Sequence, residues 1–499
     1  MSVFSRRQHL AVAVEDVGGT QAQHDAVAEL IRAFTVSADK LRAIQTHFIS
    51  EMEKGLKHHG QTVAMIPSFV EGRLTGQEKG TFLALDLGGT NLRVVQVELL
   101  GAGEFTTKST KYKVSEELKT TDAKNLFRIS GTLVCYGWRI NLLNRLIPIV
   151  LVRSIDFIAD SIDSFLAEHG LDAAEEAIPL GFTFSFPVYQ SKINRGTLKS
   201  WTKGFSCPGL VGKDPVVMLQ DALAKKHVPV FVTALVNDTV GTLLSHAYRN
   251  PDTMAGIILG TGTNGAYIEN MKNIEKWDGG STSSNEMIIN MEFGAFDNER
   301  RALPLTMFDN KLDRESINPH EQIFEKMIAG MYLGEIVRNT LLHLIDRELL
   351  FSGNSSKELN EMWSLETTYM SAIEADADPQ LESTKNILEQ TLSIPSTTLT
   401  DRRIVKKVCE LVGTRAARLA SAAIGGIIAH RDALEAGCAC GIDGSLYEFY
   451  PNFETRMYAA LKELFGEGVE KKIRLGLAKD GSGVGGVAAK MFKSLPVPV

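Results

Sequence analysis

Two segments of this 499-residue sequence place glycine, threonine and asparagine between apolar runs. Residues 82–99 read FLALDLGGTNLRVVQVEL, and residues 255–270 read AGIILGTGTNGAYIEN. Each segment predicts a β-hairpin with a glycine-rich tip. Glycine lets backbone N–H groups approach a phosphate closely, and threonine adds a hydroxyl donor. One such hairpin is ordinary, but two of them in an α/β-patterned chain predict two similar lobes that clamp a polyphosphate.

Short polar clusters lie between and after these hairpins, each embedded in apolar residues. Phosphoryl transfer to a sugar hydroxyl needs a carboxylate to accept the proton, donors for the phosphates, Mg²⁺, and amides and carboxylates that hold the polyol. An aspartate with an ordinary pKa of about 3.9 is ionised at neutral pH, so no covalent intermediate is required. The residues that supply these types are Ser185, Thr202, Lys203, Asn237, Asp238, Asn264, Glu292 and Glu325.

Less specific interpretations of these residues remain open. Asp238 follows a β-like run and precedes a helix-like run, a place where an aspartate is most often a helix N-cap. Glu292 is also compatible with a surface carboxylate, although its apolar neighbours favour a strand end that faces a cleft. Lys203 taken alone is typical of a solvated lysine, and Trp201 and Phe205 beside it are typical of core residues.

Three familiar phosphate- and nucleotide-binding signatures do not apply. The chain has no G-x-x-x-x-G-K-[ST] segment. His430-Arg431-Asp432 spells the protein-kinase tripeptide, but Gly437 stands where the metal-binding asparagine is expected and no D-F-G follows. Residues 481–486 satisfy G-x-G-x-x-G, but only 13 residues follow Gly486, too few to complete a dinucleotide-binding unit. We interpret that segment as a tight turn at a helix N-terminus.

Composition and periodicity indicate the elements that must position these residues. Hydrophobic residues make up 44% of the chain and charged residues 23%, which is typical of a soluble globular protein with two or three domains at this length. The net charge of −7 predicts no nucleic-acid contact. Apolar spacing within residues 21–59 predicts one or two amphipathic helices ahead of the first hairpin. A cleft between domains is then a natural place for the site.

The cysteines and the N-terminus bear on the compartment. Five cysteines form an odd set without a C-x-x-C spacing, which predicts reduced thiols in a cytoplasmic protein. The first residues do not show the pattern of a signal peptide. No stretch reaches the roughly 18 continuous apolar residues of a membrane-crossing helix, so we expect no membrane span.

Seven segments occur in the order in which a known family carries them. They are LALDLGGTNLRV, GFTFSFPVYQSKINRGTLKSWTKGF, LVNDTVGTL, GTGTNGAY, NMEFGAF, QIFEKMIAGMYLGE and VGTRAARLA. Together they resemble the hexokinase family over residues 20–127 and 156–494. The length and the N-terminal helices are most similar to fungal-type hexokinases and glucokinases.

The resemblance implies an α/β, actin-like (ribonuclease H-like) two-lobed sugar-kinase fold with a duplicated phosphate-binding hairpin. It implies ATP- and Mg²⁺-dependent phosphorylation of the 6-hydroxyl of glucose and related hexoses, the first step of glycolysis, with induced-fit closure of the lobes. The expected protein is a cytoplasmic monomer or homodimer. One alternative is a non-catalytic hexokinase-like glucose sensor. An actin-like or chaperone ATPase shares the hairpins but has no use for the Ser-Phe-Pro and Thr-Lys-Gly-Phe segments.

The resemblance also assigns roles residue by residue. The catalytic group consists of Asp238 as general base, Lys203 and Arg93. The sugar is held by Ser185, Thr202, Lys203, Asn237, Asp238, Asn264, Glu292 and Glu325, with Gln322 as an additional candidate. The phosphates are bound by Asp86, Gly88, Gly89, Thr90, Asn91 and Arg93 in the first loop, by Thr261, Gly262 and Thr263 in the second, and by Lys111. Asp86 reaches Mg²⁺ through water, and the adenosine side consists of Gly413, Thr414, Gly444 and Ser445.

The same family pattern divides the chain into five parts and leaves one segment unexplained. The parts are an N-terminal tail (1–19), large-domain helices (20–79), a small domain (80–237), the large domain (238–484) and a C-terminal helix that returns to the small domain (485–499). Residues 128–155 interrupt the pattern with four arginines, no acidic residue and 16 apolar side chains in 28 positions. We predict that they are translated non-coding sequence such as a retained intron, the alternative being a genuine surface insertion. Cys207-Pro208 also departs from the expected Asp and aliphatic residue.

Overall fold

The computed structural model describes residues 17–87, 91–120, 157–174, 176–201 and 205–478. The chain forms two compact units. Unit 1 comprises the described residues of Met1–Met65, Asp252–Lys276 and Ile289–Lys479. Unit 2 comprises the described residues of Ile66–Pro251 and Trp277–Ile288.

The elements of the described residues are numbered in chain order. The α-helices are α1 (Gln21–Phe34), α2 (Ala38–Lys57), α3 (Glu116–Thr120), α4 (Phe157–His169), α5 (Pro215–Lys225), α6 (Asp238–Arg249), α7 (Met307–Glu315), α8 (Ile323–Ile328), α9 (Gly330–Asp346), α10 (Lys357–Asn360), α11 (Thr367–Ala375), α12 (Glu382–Asn386), α13 (Leu399–His430), α14 (Ser445–Phe449) and α15 (Phe453–Phe465). The strands are β1 (Ile66–Glu71), β2 (Lys79–Leu87), β3 (Asn91–Gly101), β4 (Glu104–Lys113), β5 (Ile178–Phe184), β6 (Val188–Lys192), β7 (Arg195–Leu198), β8 (Val230–Val236), β9 (Thr253–Leu259), β10 (Thr263–Asn270), β11 (Glu286–Asn290), β12 (Cys438–Asp443) and β13 (Ile473–Leu477).

Unit 2 is built on a five-stranded sheet with the strand order β4-β3-β2-β5-β8. Strands β2, β3 and β4 are antiparallel neighbours, whereas β5 and β8 run parallel to β2. Its core contains Leu85 and Phe182 from the sheet with Ile162 of α4 and Leu219 of α5. Because the carboxyl ends of parallel strands meet at one edge of a sheet, the residues at the ends of β2, β5 and β8 are brought to the same edge.

Unit 1 contains four neighbouring strands in the order β10-β9-β12-β13. β9 and β10 are antiparallel, and β12 runs parallel to both β9 and β13. The helices predicted within residues 21–59 are α1 and α2, and each begins at a side-chain cap, Thr20 and Ser37 respectively. Both helices pack against the long helix α13.

Helix α13 is, among the described residues, the one helix long and apolar enough to cross a membrane by length and composition alone. Its most apolar 18-residue window is 83% buried. That window includes a run of alanines and glycines, which lets neighbouring elements approach closely: a Cβ at Gly426 would lie 2.7 Å from the ring of Phe48 in α2. We therefore interpret α13 as the core helix of unit 1.

Both predicted hairpins are present. β2 and β3 pair from Lys79 opposite Leu100 to Leu87 opposite Leu92, and β9 and β10 pair up to Leu259 opposite Thr263. Three stretches outside the predicted small domain belong to unit 2, namely 66–79, 238–251 and 277–288. For 238–251 the hydroxyl of Tyr248 in α6 gives a reason, since it accepts from Gly101 N and donates to Glu78 O, at 3.0 and 2.7 Å, and so ties α6 to β3 and to the start of β2. Residues 485–499 lie outside the described residues.

Candidate active site

A row of polar side chains crosses the sheet of unit 2. Asp86 lies opposite Arg93, Arg93 lies opposite Lys111, and Thr183 lies beside Asp86 in the parallel neighbour. Directly paired residues of adjacent strands project from the same face, so these four side chains share it. Arg93 Nη2 is 3.9 Å from Asp86 Oδ2, and both side chains are 20% exposed. Two cations next to one carboxylate suit a phosphate group that carries a hydrated metal ion.

Asp238 stands at the junction of β8 and α6. The helix cap is the preceding residue, Asn237, whose side-chain oxygen accepts from the N–H and the hydroxyl of Thr239 at 3.0 and 2.8 Å. Asp238 is the first helical residue, and its Oδ1 accepts from the same N–H at 3.0 Å. The N-cap role considered for Asp238 therefore belongs to Asn237. Asp238 is half-buried and lies in the first turn of α6, at the positive end of the helix dipole.

Ser185 directly follows β5 and is buried. The next residue, Phe186, has its ring centroid 4.9 Å from that of Trp201 and 5.1 Å from that of Phe205, and the latter two rings stack at 5.4 Å. This aromatic cluster holds both ends of the segment that contains Thr202 and Lys203, two residues that lie outside the described residues. Trp201 and Phe205 pack in the core of unit 2, as their sequence context predicts.

Cys207, the departure from the family pattern, is packed inside unit 2. Its sulfur lies 3.3 Å from the carbonyl oxygen of Leu118 and 3.1 Å from that of Lys119, in α3. Its own carbonyl accepts from Trp201 Nε1 at 2.8 Å. A thiol is a weak donor, so the substitution provides neutral contacts rather than a charge at this place.

Two hydrogen bonds hold the turn between β9 and β10 in unit 1, one to α8 and one within the hairpin. Thr263 N donates to Glu325 Oε2 at 2.9 Å, and the Thr263 hydroxyl donates to Ile258 O at 2.9 Å. A Cβ at Gly262 would lie 2.7 Å from the same Glu325 oxygen, so the glycine permits this approach. Thr261 is exposed, whereas Thr263 is buried. Of the two hydroxyls, that of Thr261 is therefore the better placed for a phosphate.

Two asparagines and one glutamate form a hydrogen-bonded group in unit 1. Asn264 Nδ2 donates to Asn290 Oδ1 at 2.8 Å and approaches Glu292 Oε1 at 3.3 Å, while Asn290 Nδ2 donates to Glu292 Oε1 at 2.9 Å. Glu292 itself has a left-handed backbone, with φ of 53°. Asn290 was not among the predicted site residues, although it ends the apolar run MIIN two residues before Glu292.

Gln322 and Glu325 lie beside the turn that follows Glu292. A Cβ at Gly294 would lie 3.1 Å from Gln322 Oε1 and 3.2 Å from Glu325 Cβ. Burial, and then the negative charge of Glu325, raise the pKa of the nearby Tyr332. We call the group of amides and carboxylates in this unit the amide–carboxylate cluster; it consists of Asn264, Asn290, Glu292, Gln322 and Glu325. Such groups can accept from and donate to the hydroxyls of a polyol.

The four residues predicted for the adenosine side surround α14. Gly444 has a φ of 124°, and a Cβ there would lie 2.3 Å from Leu259 O at the start of the second turn. Ser445 begins α14 and is exposed. Gly413 packs against Tyr450, the residue after α14: a Cβ at Gly413 would lie 2.7 Å from the Tyr450 ring. Thr414, beside Gly413, is half-buried.

Comparison with known proteins identifies the family. A sequence model described as hexokinase matches residues 26–135 and 154–248, and a second hexokinase model matches residues 254–491. The chain belongs to the hexokinase family. It is 42% identical to a hexokinase of Kluyveromyces lactis, over 91% of this chain and 88% of that one. It is 38% identical to a glucokinase of Aspergillus niger, over 94% of this chain and 97% of that one.

A solved hexokinase from Schistosoma mansoni, complexed with glucose, has the same fold. The TM-score is 0.80 at 35% identity, over 95% of this chain and 99% of that one. The predicted actin-like two-lobed sugar-kinase fold and the prediction of a hexokinase enzyme are therefore confirmed. Sugar kinases of this family use ATP, typically with a divalent metal.

The family match also bears on the anomalous segment. The matched residues break between 135 and 154, inside the stretch 128–155 that interrupts the pattern. Those residues lie outside the described ranges.

The structure groups the predicted site residues by unit. Unit 2 carries Asp86, Asn91, Arg93, Lys111, Ser185, Asn237 and Asp238, at the ends or in the central row of its sheet. Unit 1 carries Thr261, Gly262, Thr263, Asn264, Glu292, Gln322, Glu325, Gly413, Thr414, Gly444 and Ser445. Gly88, Gly89, Thr90, Thr202 and Lys203 lie outside the described residues.

Proposed function

We propose that this enzyme transfers the γ-phosphate of ATP to the 6-hydroxyl of glucose and related hexoses, the first step of glycolysis. The observation that carries the proposal is the amide–carboxylate cluster, in which Asn264, Asn290 and Glu292 are joined by hydrogen bonds of 2.8 to 3.3 Å. Amide and carboxylate side chains together supply donors and acceptors, the combination that sugar hydroxyls bind. The Schistosoma relative was solved with glucose.

In the proposed reaction Asp238 is the general base. Its carboxylate belongs to the first residue of α6, two residues after β8 ends, and is half-buried. It would accept the proton of the 6-hydroxyl as the oxygen–phosphorus bond forms, and no enzyme-bound intermediate is needed. Ser185, Thr202, Lys203 and Asn237 join the amide–carboxylate cluster as proposed sugar ligands.

The phosphates are proposed to contact the row of Asp86, Arg93 and Lys111 and the exposed turn at Thr261. Mg²⁺ would neutralise charge on the β- and γ-phosphates. Asp86 fits a role in holding it through water, because its carboxylate is partly exposed and oxygen is the ligand type that Mg²⁺ prefers. Lys203 and Arg93 are proposed to stabilise the charge of the transferred group. Gly413, Thr414, Gly444 and Ser445 are proposed for the adenosine side.

Induced fit is the remaining mechanistic element of the proposal. Sugar binding would complete the set of phosphate-binding groups and keep water from attacking ATP. Hydrolysis of ATP should then be slow when glucose is absent.

The proposal is tested with purified protein, glucose, ATP and Mg²⁺, by measuring glucose 6-phosphate. Asp238→Ala should lower kcat by at least about 10²-fold, because a positioned base contributes about 10²- to 10⁴-fold, while glucose binding stays measurable. Asp221→Asn, an exposed carboxylate on α5, serves as the matched control and should retain full activity. Glucose binding without product from the unaltered protein would overturn the proposal and favour the glucose-sensor alternative.

We further propose that residues 128–155 contribute nothing to this activity. The break in the family match supports this. A protein in which Phe127 is joined directly to Asp156 should show unchanged kinetic constants and aggregate less, because an apolar segment of 28 residues is removed. Sequencing the transcript decides the origin of the segment: a message that lacks these codons indicates a retained intron.

The cytoplasmic location and the monomeric or dimeric state also remain proposals. The four cysteines within the described residues, Cys207, Cys409, Cys438 and Cys440, are buried free thiols, which is typical of a reducing compartment.

A further inference from the structure

A second polar cluster lies in unit 1 on the helix α2. His47 and Glu51 are one turn apart on this helix, and both approach Asp297, which follows the 3₁₀ turn Phe293–Ala295. His47 Nε2 is 3.0 Å from Glu51 Oε1 and 3.4 Å from Asp297 Oδ1. Asp297 N lies 3.4 Å from Glu51 Oε2, to which it donates. Asp297 is wholly buried, and the Glu51 side chain is nine-tenths buried.

Asp297 organises the backbone around it. It has a left-handed φ of 55°, and its carboxylate accepts from the N–H groups of Arg301, Ala302 and Leu303 at 2.6, 2.9 and 2.6 Å. A left-handed residue that is not glycine costs free energy and persists when its surroundings over-determine it. The contacts with Glu51 and His47 add to these bonds and fasten Asp297 to α2.

Aromatic packing fastens the same loop to the same helix. The Phe48 ring, next to His47, lies 5.9 Å from Phe293 and 5.0 Å from Phe296, both in edge-on contact. Phe324 of α8 lies edge-on to Phe293 and Phe296 at 5.7 and 5.4 Å. Helix α2 therefore contacts the loop through one charged and one apolar group of side chains.

The loop has the amide–carboxylate cluster at both of its ends. Glu292 precedes Phe293 directly, and its left-handed backbone places it within hydrogen-bond distance of Asn264 and Asn290. Asn298, the residue after Asp297, accepts from Ile323 N at 3.1 Å and so holds the first turn of α8. That helix carries Glu325, which accepts from Thr263 N.

We propose that His47 and Glu51 are positioning residues for the sugar carboxylates Glu292 and Glu325, acting through Asp297. This inference rests on the proposed function, since it assumes that those carboxylates hold the sugar. Removal of the Glu51 carboxylate takes away the acceptor of Asp297 N and one of the two carboxylates near His47, so the loop is held to α2 mainly by the aromatic contacts. Small displacements of a group that orients a substrate are costly, so the effect falls on sugar binding.

A bound metal ion is the competing account of the same geometry. Ligand atoms of the three residues lie within 4.8 Å of one another, and His47 Nε2 makes no hydrogen bond of good geometry with either carboxylate. Against a metal stands the fact that the Asp297 carboxylate already accepts three backbone N–H bonds, which accounts for most of its acceptor capacity. Measurement of bound metal is therefore part of the test.

The experiment compares steady-state constants for glucose and ATP in Glu51→Ala, Glu51→Gln and His47→Gln proteins. Glu51→Ala should raise KM for glucose about tenfold, with kcat and KM for ATP changed by less than about twofold. Glu51→Gln retains an oxygen for Asp297 N and should restore part of the loss. Glu53→Gln, an exposed carboxylate on the same helix, is the matched control and should behave as the unaltered protein.

Each result bears on the inference. A merely structural cluster would lower the melting temperature and the active fraction but leave KM for glucose unchanged in Glu51→Ala and His47→Gln, which overturns the proposal. A stoichiometric metal in the unaltered protein that is lost in His47→Gln also overturns it. Glu292→Gln distinguishes failure of the proposed function from failure of this inference. If Glu292→Gln leaves KM for glucose unchanged, the proposed function fails. If Glu292→Gln raises KM for glucose but Glu51→Ala does not, only the present inference is rejected.

Discussion

The two hairpins share a sequence pattern, yet the structure gives their ends different chemistry. In unit 2 the end of the β2–β3 hairpin carries Asp86 and Arg93, with Lys111 beside them in β4. In unit 1 the β9–β10 turn carries no charge of its own, and its backbone is bound by Glu325 from α8. One hairpin presents charges on its sheet, and the other presents a backbone turn whose shape is set by a neighbouring helix.

The opposite ends of the hairpins differ as well. In unit 2 the end of the hairpin away from its tip is held by a neutral group: the Tyr248 hydroxyl bridges Gly101 N and Glu78 O. In unit 1 the residue before the last of strand β10 is Glu269, a wholly buried carboxylate. Glu269 accepts from the Tyr267 hydroxyl and from Asn273 at 2.6 and 2.9 Å, and it is paired with His430 and Arg431 at 2.6 and 2.8 Å. A repeated motif is therefore anchored by a neutral bond in one unit and by charges in the other.

The largest expected effect comes from removing the charged anchor. Glu269→Ala leaves Arg431 and His430 buried without their carboxylate, and loss of one partner of a buried ion pair costs about 3–5 kcal/mol in the free energy of unfolding. Tyr248→Phe removes only a neutral hydroxyl and should cost about 1 kcal/mol. Urea unfolding of both variants measures the difference. Equal losses would contradict the distinction between the two anchors.

The pH dependence of stability should also separate the anchors. Burial alone would raise the pKa of Glu269, but the hydrogen bonds from His430 and Tyr267 outweigh it and lower that pKa from 4.5 to about 2. A lowered folded-state pKa stabilises the fold above the unfolded value, and this stability is lost as the pH falls from about 4.5 towards about 2.

The measurement is the difference between the unaltered protein and Glu269→Gln in melting temperature across this range. The difference should shrink as the pH falls, whereas the difference for Tyr248→Phe should stay constant, because burial raises the pKa of Tyr248 and keeps it neutral. A difference for Glu269→Gln that does not change below pH 4.5 would remove Glu269 as an acid-sensitive anchor.

These anchors mark the limit of what the sequence could predict. The hairpins were predictable because apolar alternation and glycine turns are local signals, and the position of Asp238 was predictable because a strand end and a helix start lie next to each other in the chain. The partner of His430 and Arg431 was not, since Glu269 lies 161 positions before His430. His430 and Arg431 begin the tripeptide whose protein-kinase signature does not apply here, and the structure gives both residues a structural role.

The same limit applies to the amide–carboxylate cluster. Residue type and context, and then the family resemblance, select Glu292 and Glu325 but not Asn290 and Asp297, although both of these contribute to the arrangement around Glu292. The Asn290 side chain contacts Asn264 and Glu292, and the Asp297 side chain contacts His47 and backbone groups of a loop that no periodic pattern describes. The left-handed backbone of Glu292 also has no signal in the sequence, because glutamate, unlike glycine, asparagine or aspartate, is not enriched in that conformation.

The smallest expected effect concerns the two threonines of the second turn. Thr261 is exposed, so its hydroxyl is open to a phosphate, whereas the Thr263 hydroxyl already donates to Ile258 O inside the hairpin. Thr261→Val should therefore raise KM for ATP about fivefold, the equivalent of one hydrogen bond of about 1 kcal/mol, and leave the melting temperature unchanged. Thr263→Val should do the reverse, because it removes a hydrogen bond inside the hairpin: stability falls by about 1 kcal/mol and KM for ATP stays within about twofold. If Thr263→Val instead raises KM for ATP more than Thr261→Val does, the second turn binds phosphate through its inner threonine, and the contrast drawn between the two hairpins is wrong at this position.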